Sequence, residues 1–260
     1  MKILQQIRGL KKYTFLLSEL VSRDIKVKYK RSFLGVLWAL LNPLLMMIVM
    51  SVVFSHVFRY SIENFPVYLL SGQILFSFLS EATASAMTSI IYGAGLIKKV
   101  YVPKYILPFS KVCSSFVTLL YSLLALLVIM IFFGVKPTWN MVLFPIPLFY
   151  LFLMSTGIGL ILSVCATYFR DTVYLYTVIL QAWMYLTPIF YPVDALPQNV
   201  QILIKLNPMY HLITYFRNVL IYGITPTLQT NAVCFVFSFG ALLLGMVVFK
   251  KHQRNFLLHI

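Results

Sequence analysis

Six long apolar runs, each bounded by charged or Pro-containing connections, constrain this chain more than anything else in it. They cover about 35–58, 67–89, 111–134, 141–165, 172–191 and 229–249. A helix needs roughly 20 apolar residues to cross a bilayer. The pattern therefore predicts an all-α polytopic membrane protein with six transmembrane helices. The chain is 61% hydrophobic and has only six acidic residues, so a soluble domain is excluded.

The basic residues give the orientation. Nine Lys and Arg precede the first run: Lys2, Arg8, Lys11, Lys12, Arg23, Lys26, Lys28, Lys30 and Arg31. Lys98, Lys99, Lys104 and Lys111 lie between the second and third runs, Arg170 between the fourth and fifth, and Lys250, Lys251 and Arg254 after the sixth. The alternate connections hold Arg59, Lys136, Lys205 and Arg217. A split of 17 to 4 puts both termini in the cytoplasm, because basic segments stay on that side during insertion. The net charge of +15 is read as attraction to anionic lipid headgroups rather than to nucleic acid, since it flanks the runs. Cys113, Cys165 and Cys234 lie in or beside apolar runs, with no metal-ligand spacing and no implied disulfide.

Three regions follow from this pattern: a cytoplasmic N-terminal segment over 1–34, a six-span domain over 35–250 and a cytoplasmic tail over 251–260. Residues 12–30 predict an amphipathic helix lying on the membrane surface. Tyr13, Leu16, Leu17, Leu20 and Val27 share one face, and Lys12, Glu19, Arg23, Lys26 and Lys30 the other. Asp24 interrupts the apolar face. The connection over 193–228 holds two short apolar stretches, Val200–Leu206 and Met209–Tyr222, separated by Asn207-Pro208. Neither reaches spanning length. Two re-entrant helices between spans five and six are expected there, Pro ending one and starting the next.

Polar residues inside the spans mark stripes. Trp38, Asn42 and His56 align on the first span, and Ser77, Glu81, Ser85 and Thr88 on the second. Glu81 is the one acidic residue well inside a span, where it needs a partner or water. Two readings fit it: a hydrogen bond to a neighbouring helix, or a transport role. Ser114, Thr118 and Ser122, then Ser155, Gly159 and Ser163, are small residues at four-residue spacing and predict close helix packing. The fifth run is the most aromatic. Tyr174, Gln181 and Tyr185 share a face, and Trp183, Phe190 and Tyr191 crowd the outer end, where Pro188 is expected to kink the helix and Pro192 to stop it. These rings suit an interfacial aromatic belt, or faces on which sugar rings stack and slide.

Catalytic motifs are missing. There is no G-x-x-x-x-G-K-[ST] phosphate loop, no H-E-x-x-H and no nucleophile with its base. Leu70-Ser71-Gly72-Gln73 resembles an ATPase signature, but it lacks the second Gly and lies within an apolar run. A membrane-embedded glycan-modifying enzyme is thereby disfavoured, and no catalytic or metal-binding residues are expected.

Several local motifs in order resemble the type-2 ABC exporter permeases. They are Tyr29-Lys30-Arg31-Ser32-Phe33-Leu34-Gly35-Val36-Leu37-Trp38 with Leu41-Asn42-Pro43-Leu44; Leu96-Ile97-Lys98-Lys99-Val100-Tyr101-Val102-Pro103-Lys104 with Ile106-Leu107-Pro108; Tyr168-Phe169-Arg170-Asp171; Leu186-Thr187-Pro188-Ile189-Phe190-Tyr191-Pro192; and Asn207-Pro208-Met209. The subgroup resembled exports polysaccharide: O-antigen, capsule or teichoic acid. The resemblance implies a homodimer in the bacterial inner membrane with two separate ATP-binding cassette subunits, which carry the ATP and Mg. It implies that the turn around Lys98, Lys99, Tyr101, Pro103 and Lys104 is the coupling element. On this reading a lipid-linked polysaccharide, O-antigen first, passes Trp38, Asn42, Tyr174, Gln181, Tyr185, Phe190 and Tyr191. Lys28, Lys30 and Arg31 would meet its headgroup. A type-2 exporter of a hydrophobic small molecule is the alternative.

Overall fold

The computed structural model describes residues 13–58, 62, 64–99 and 102–256. Among them are ten α-helices and no strand. They are α1 (Thr14–Lys28), α2 (Trp38–Phe58), α3 (Phe65–Tyr92), α4 (Ala94–Lys99), α5 (Ile106–Phe132), α6 (Pro145–Tyr168), α7 (Thr172–Leu186), α8 (Gln198–Lys205), α9 (Pro208–Leu220) and α10 (Leu228–His252). The boundaries follow local chemistry. Pro66, Pro145 and Pro208 sit in first turns, where a missing N–H costs nothing. The Asn207 side chain caps α9 by accepting from Met209 N, and Thr227 caps α10 by accepting from Thr230 N.

Five segments are long and apolar enough to cross a membrane: Gly35–Phe54, Phe65–Tyr92, Ile106–Phe132, Trp139–Tyr168 and Leu228–Asn255. The fifth expected span differs. Its helix, α7, has 15 residues, or about 22 Å at 1.5 Å each, against a hydrocarbon core of roughly 30 Å. It ends at Leu186 rather than kinking at Pro188 and running to Pro192. Proline disfavours helical backbone in the residue before it, and Thr187 is extended, with ψ 131°. The third span also starts earlier than expected, at Ile106, so Lys111 is helical.

The core runs along α3, which packs on α5 and α6, while α6 packs on α10. Small residues set these distances. A Cβ on Gly159 would lie 2.8 Å from the Ala86 methyl, and one on Gly157 would meet the Ala241 backbone. Ser155 and Ser163 are fully buried beside them, as their spacing predicts. The stripe on α5 does more than pack. Ser122 Oγ donates to Ala39 O on α2 (3.1 Å), and Ser114 Oγ to Asp24 on α1 (3.4 Å).

The apolar face of the first helix, α1, packs on the bundle: Leu20 is buried, and Tyr13, Leu16 and Leu17 pack against a cluster that includes Ile90, Ile106, Val164, Phe249 and Phe256. Asp24, the break in that face, is tied to Lys111 Nζ at 2.9 Å. Val27 is 63% exposed, so the covered face ends before it.

Candidate functional site

The C-terminal end of α7 is organised by one residue of α9. Arg217 is 4% exposed. Its Nη1 donates to Pro188 O (2.9 Å), its Nη2 to Tyr68 O (2.9 Å) and Ile189 O (3.2 Å), and its Nε to Ser71 Oγ (3.3 Å). The guanidinium also lies 3.4 Å from the Tyr68 ring centroid, a desolvated cation–π contact. Tyr68 Oη donates to Tyr191 O at 3.1 Å. Gly72 leaves room for this arrangement, since a Cβ there would stand 2.7 Å from Arg217 Nη2. No carboxylate joins the cluster among the described residues; the carbonyl oxygens of Pro188 and Ile189, in the turn after α7, and of Tyr68 on α3 hold the cation. The Leu70-Ser71-Gly72-Gln73 run is thus part of the seat of a buried arginine.

A second set of bonds joins two motifs distant in sequence. Trp183 Nε1 donates to Asn207 Oδ1 (2.9 Å), and Asn207 Nδ2 to Thr187 Oγ1 (2.9 Å). Trp183 also meets Phe76 edge-on, at 6.4 Å and 88°. It is a structural pin, not an open ring at an outer exit.

The turn so held presents aromatic faces. Phe190, buried at 5% exposure, stacks on Phe54 of α2 at 5.3 Å and 17°. The Tyr185 ring lies 6.3 Å from Phe190, and Tyr191 Oη donates to Tyr185 O at 2.7 Å. Tyr185, Phe190 and Tyr191 are therefore one cluster. Tyr174 and Gln181 share its open side on α7, both exposed; Tyr174 lies eleven residues, or about 16 Å, from Tyr185. The inward side of α7 is held to α3 by Tyr176 Oη donating to Thr83 Oγ1 at 2.6 Å. Trp38 and Asn42 are exposed near the start of α2, far along the chain from Phe54.

At the other end of the bundle, Lys98 and Lys99 are exposed on the last turn of α4. The short helix precedes Pro103, and Pro108 lies in the first turn of α5. Lys104 is engaged within the chain. Its Nζ donates to Gln253 O (2.6 Å) and stands 5.7 Å from the Phe256 ring, and burial there lowers its pKa from the usual lysine range. Tyr101 lies outside the described residues. Lys28 Nζ binds Glu81 at 2.7 Å, which accounts for the charge inside the second span, while Lys30 and Arg31 are exposed. Arg31 has φ 63°, a left-handed conformation that turns the chain from α1 toward α2.

The model of the ABC-2 type transporter family matches residues 16–221. The chain belongs to that family. This ABC-2 chain is 32% identical over 217 residues to the O-antigen export system permease protein RfbA of Myxococcus xanthus, covering 83% of the chain and 84% of the relative. It is 28% identical over 245 residues to a protein of the same name from Klebsiella pneumoniae, covering 93% of each. The polysialic acid transport protein KpsM of Escherichia coli is more distant, 23% identical over 252 residues, with 90% and 92% covered. Family and apolar helices together make this a multi-pass membrane protein and a transport component rather than an enzyme. The matched region takes in the Arg217 seat, the α7 turn and the α4–α5 turn, and leaves α10 outside.

Proposed function

We propose that this chain is the membrane permease of an ATP-driven exporter that moves a lipid-linked polysaccharide of the O-antigen class across the bacterial inner membrane. The observation that carries this is the near full-length likeness to O-antigen export permeases, above that to the polysialic acid transport protein. Capsule and teichoic acid are the alternative cargoes, and a hydrophobic small molecule a further one. In this reading the chain crosses six times, α7 and the turn after it completing the fifth passage, with both termini cytoplasmic. The α1 helix lies on the inner surface, and α8 and α9 dip into the outer leaflet. Residues 1–34, 35–250 and 251–260 act as surface segment, spanning domain and tail.

Two copies of the chain and two ATP-binding cassette subunits, carrying ATP and Mg, form the working assembly. Lys98 and Lys99, with Tyr101, Pro103 and Lys104 behind them, face those subunits. Trp38, Asn42, Tyr174, Gln181 and Tyr185 line the path, closed outward by Phe190 and Tyr191. Lys30 and Arg31 meet the cargo headgroup, while Lys28 stays with Glu81. The open faces of α2 and α7 support this placement: Leu45, Ile48, Val49 and Val52, then Leu175, Val178 and Ile179, are all exposed in the single chain.

The function is tested by deleting the gene and restoring it. Deletion should remove surface O-antigen and leave the lipid-linked chain inside the cell. Surface glycan unchanged by the deletion refutes the reading. Docking is tested with K98E and K99E together; Lys104 stays, because its bond to Gln253 would confound the result. Export should fall at least about tenfold in protein that still inserts, and normal export would remove the docking role. For the path, Y185A should shorten or reduce surface glycan per inserted permease. A lower permease level with export per molecule unchanged would instead make Tyr185 part of a lipid-facing belt.

A further inference from the structure

Where α1 meets α3 and α5 there is a cavity of about 220 Å³, lined by Asp24, Lys28, Glu81, Lys111, Ser114 and Ser115 among others. None of its walls comes from α7. Two ion pairs cross it, Lys28 Nζ to Glu81 Oε1 at 2.7 Å and Lys111 Nζ to Asp24 Oδ2 at 2.9 Å. Ser115 and Ser114 donate to the same two carboxylates, at 3.3 and 3.4 Å. The first pair is open, with the Lys28 and Glu81 side chains 40% and 38% exposed.

Depth makes that opening significant. Glu81 lies eleven residues before the last residue of α3, Tyr92, which is about 16 Å of helix. With Lys28 at the end of the surface helix α1 and Glu81 on the spanning helix α3, the half-open pair stands where headgroups meet acyl chains, and a bare ionised group is costly on the acyl side. Something polar covers it. The cavity holds two cations and two anions, so a simple anion or cation meets repulsion as well as attraction. A ligand carrying both charges, a short distance apart, matches all four groups. The exposed Val27 beside the opening offers apolar surface to a tail.

We propose that this cavity binds the headgroup of a zwitterionic glycerophospholipid bearing a primary ammonium. The phosphate is held by Lys28 and Lys111, and the ammonium donates to Asp24 and Glu81. The bound lipid fastens α1 to α3 and α5 at the depth where α1 ends. A quaternary ammonium carries the same charge but has no N–H to donate, so choline and ethanolamine headgroups are told apart by hydrogen bonding alone. The site does not depend on the identity of the exported cargo, and its test does not involve export.

The experiment uses the full chain in mild detergent, delipidated and then offered phosphatidylcholine mixed equally with phosphatidylethanolamine or with phosphatidylglycerol. Retained lipid is read by native mass spectrometry. Phosphatidylethanolamine should be retained about tenfold over phosphatidylcholine, equivalent to roughly 1.4 kcal/mol. N-methylated and N,N-dimethylated headgroups should fall between, in step with the donors left. D24A with E81A, which removes both acceptors, should abolish the preference. Should that double variant fail to insert, the methylation series on the unaltered chain decides alone. Retention indifferent to methylation overturns the site, as does phosphatidylglycerol retained above phosphatidylethanolamine, which would mark a plain anion site. Competition by soluble glycerophosphoethanolamine as strong as that by the lipid overturns the lipid as its source.

Discussion

R217A should be among the most damaging single replacements in this chain, lowering stability by about 3 kcal/mol or more. Removing the guanidinium leaves Ile189 O without its donor in a dry setting and takes a charged donor from Pro188 O and Tyr68 O, which keep Tyr68 Oη and Ser71 Oγ; an unsatisfied buried group costs roughly 1–3 kcal/mol, and the cation–π contact with Tyr68 is lost as well. Three separate segments also lose their common tie: α9, the first turns of α3, and the turn after α7. R217K keeps the charge but not the planar fork, so it should recover only part of the loss. The measurement is the unfolding midpoint in detergent together with the amount inserted in membranes. A midpoint within a degree or so of the unaltered chain would show that the cluster does not hold this end of the bundle together. G72A approaches the same guanidinium from the opposite side and should cost less, because the side chain can shift by a fraction of an ångström.

A single added methyl should be comparably destructive at Gly245. Its Cβ would fall on the backbone of Gly157, and a Cβ on Gly157 would fall on the backbone of Ala241. Backbone cannot rotate away, so α6 and α10 must separate. Overpacking costs about 1–3 kcal/mol where side chains can adjust, and G245A should lie at or above the top of that range. G240A, on the same helix with nothing within 4 Å of the new methyl, provides the control. There the usual helix preference of Ala over Gly operates, worth up to about 1 kcal/mol in soluble helices. Opposite signs for the two replacements, in midpoint or inserted level, are the expected result. Equal effects would mean that α6 and α10 are not in close contact.

Much of the fold was legible because apolar length and helical period are local quantities. The faces of α1, the two short helices split at Asn207-Pro208, and the small-residue packing of α6 all follow from spacing. The extent of the fifth span did not. Its apolar run continues through Pro188 to Tyr191, so composition cannot mark the stop, whereas backbone sterics at Thr187 end the helix. In the candidate site, the Tyr174, Gln181 and Tyr185 face of α7 was readable, but the roles of its neighbours were not. Trp183 and Phe190 look alike in sequence as outer aromatics; one is pinned to Asn207 and the other stacks on Phe54.

Charge shows the same division most clearly. Hydropathy by itself determines that this is a helical membrane protein, because apolar length is a sum along the chain and not a matter of individual contacts. Which charges remain available was decided only when the helices packed. Arg217 counts as an ordinary outer loop charge until α9 buries it on Ser71 and Gly72. Lys104 counts as a docking charge until the tail brings Gln253 and Phe256 to it. Glu81 has no sequence neighbour to neutralise it, and its partner Lys28 is 53 residues away. An ionised group at low dielectric must find its counterpart in space, and spatial neighbours are set by tertiary packing.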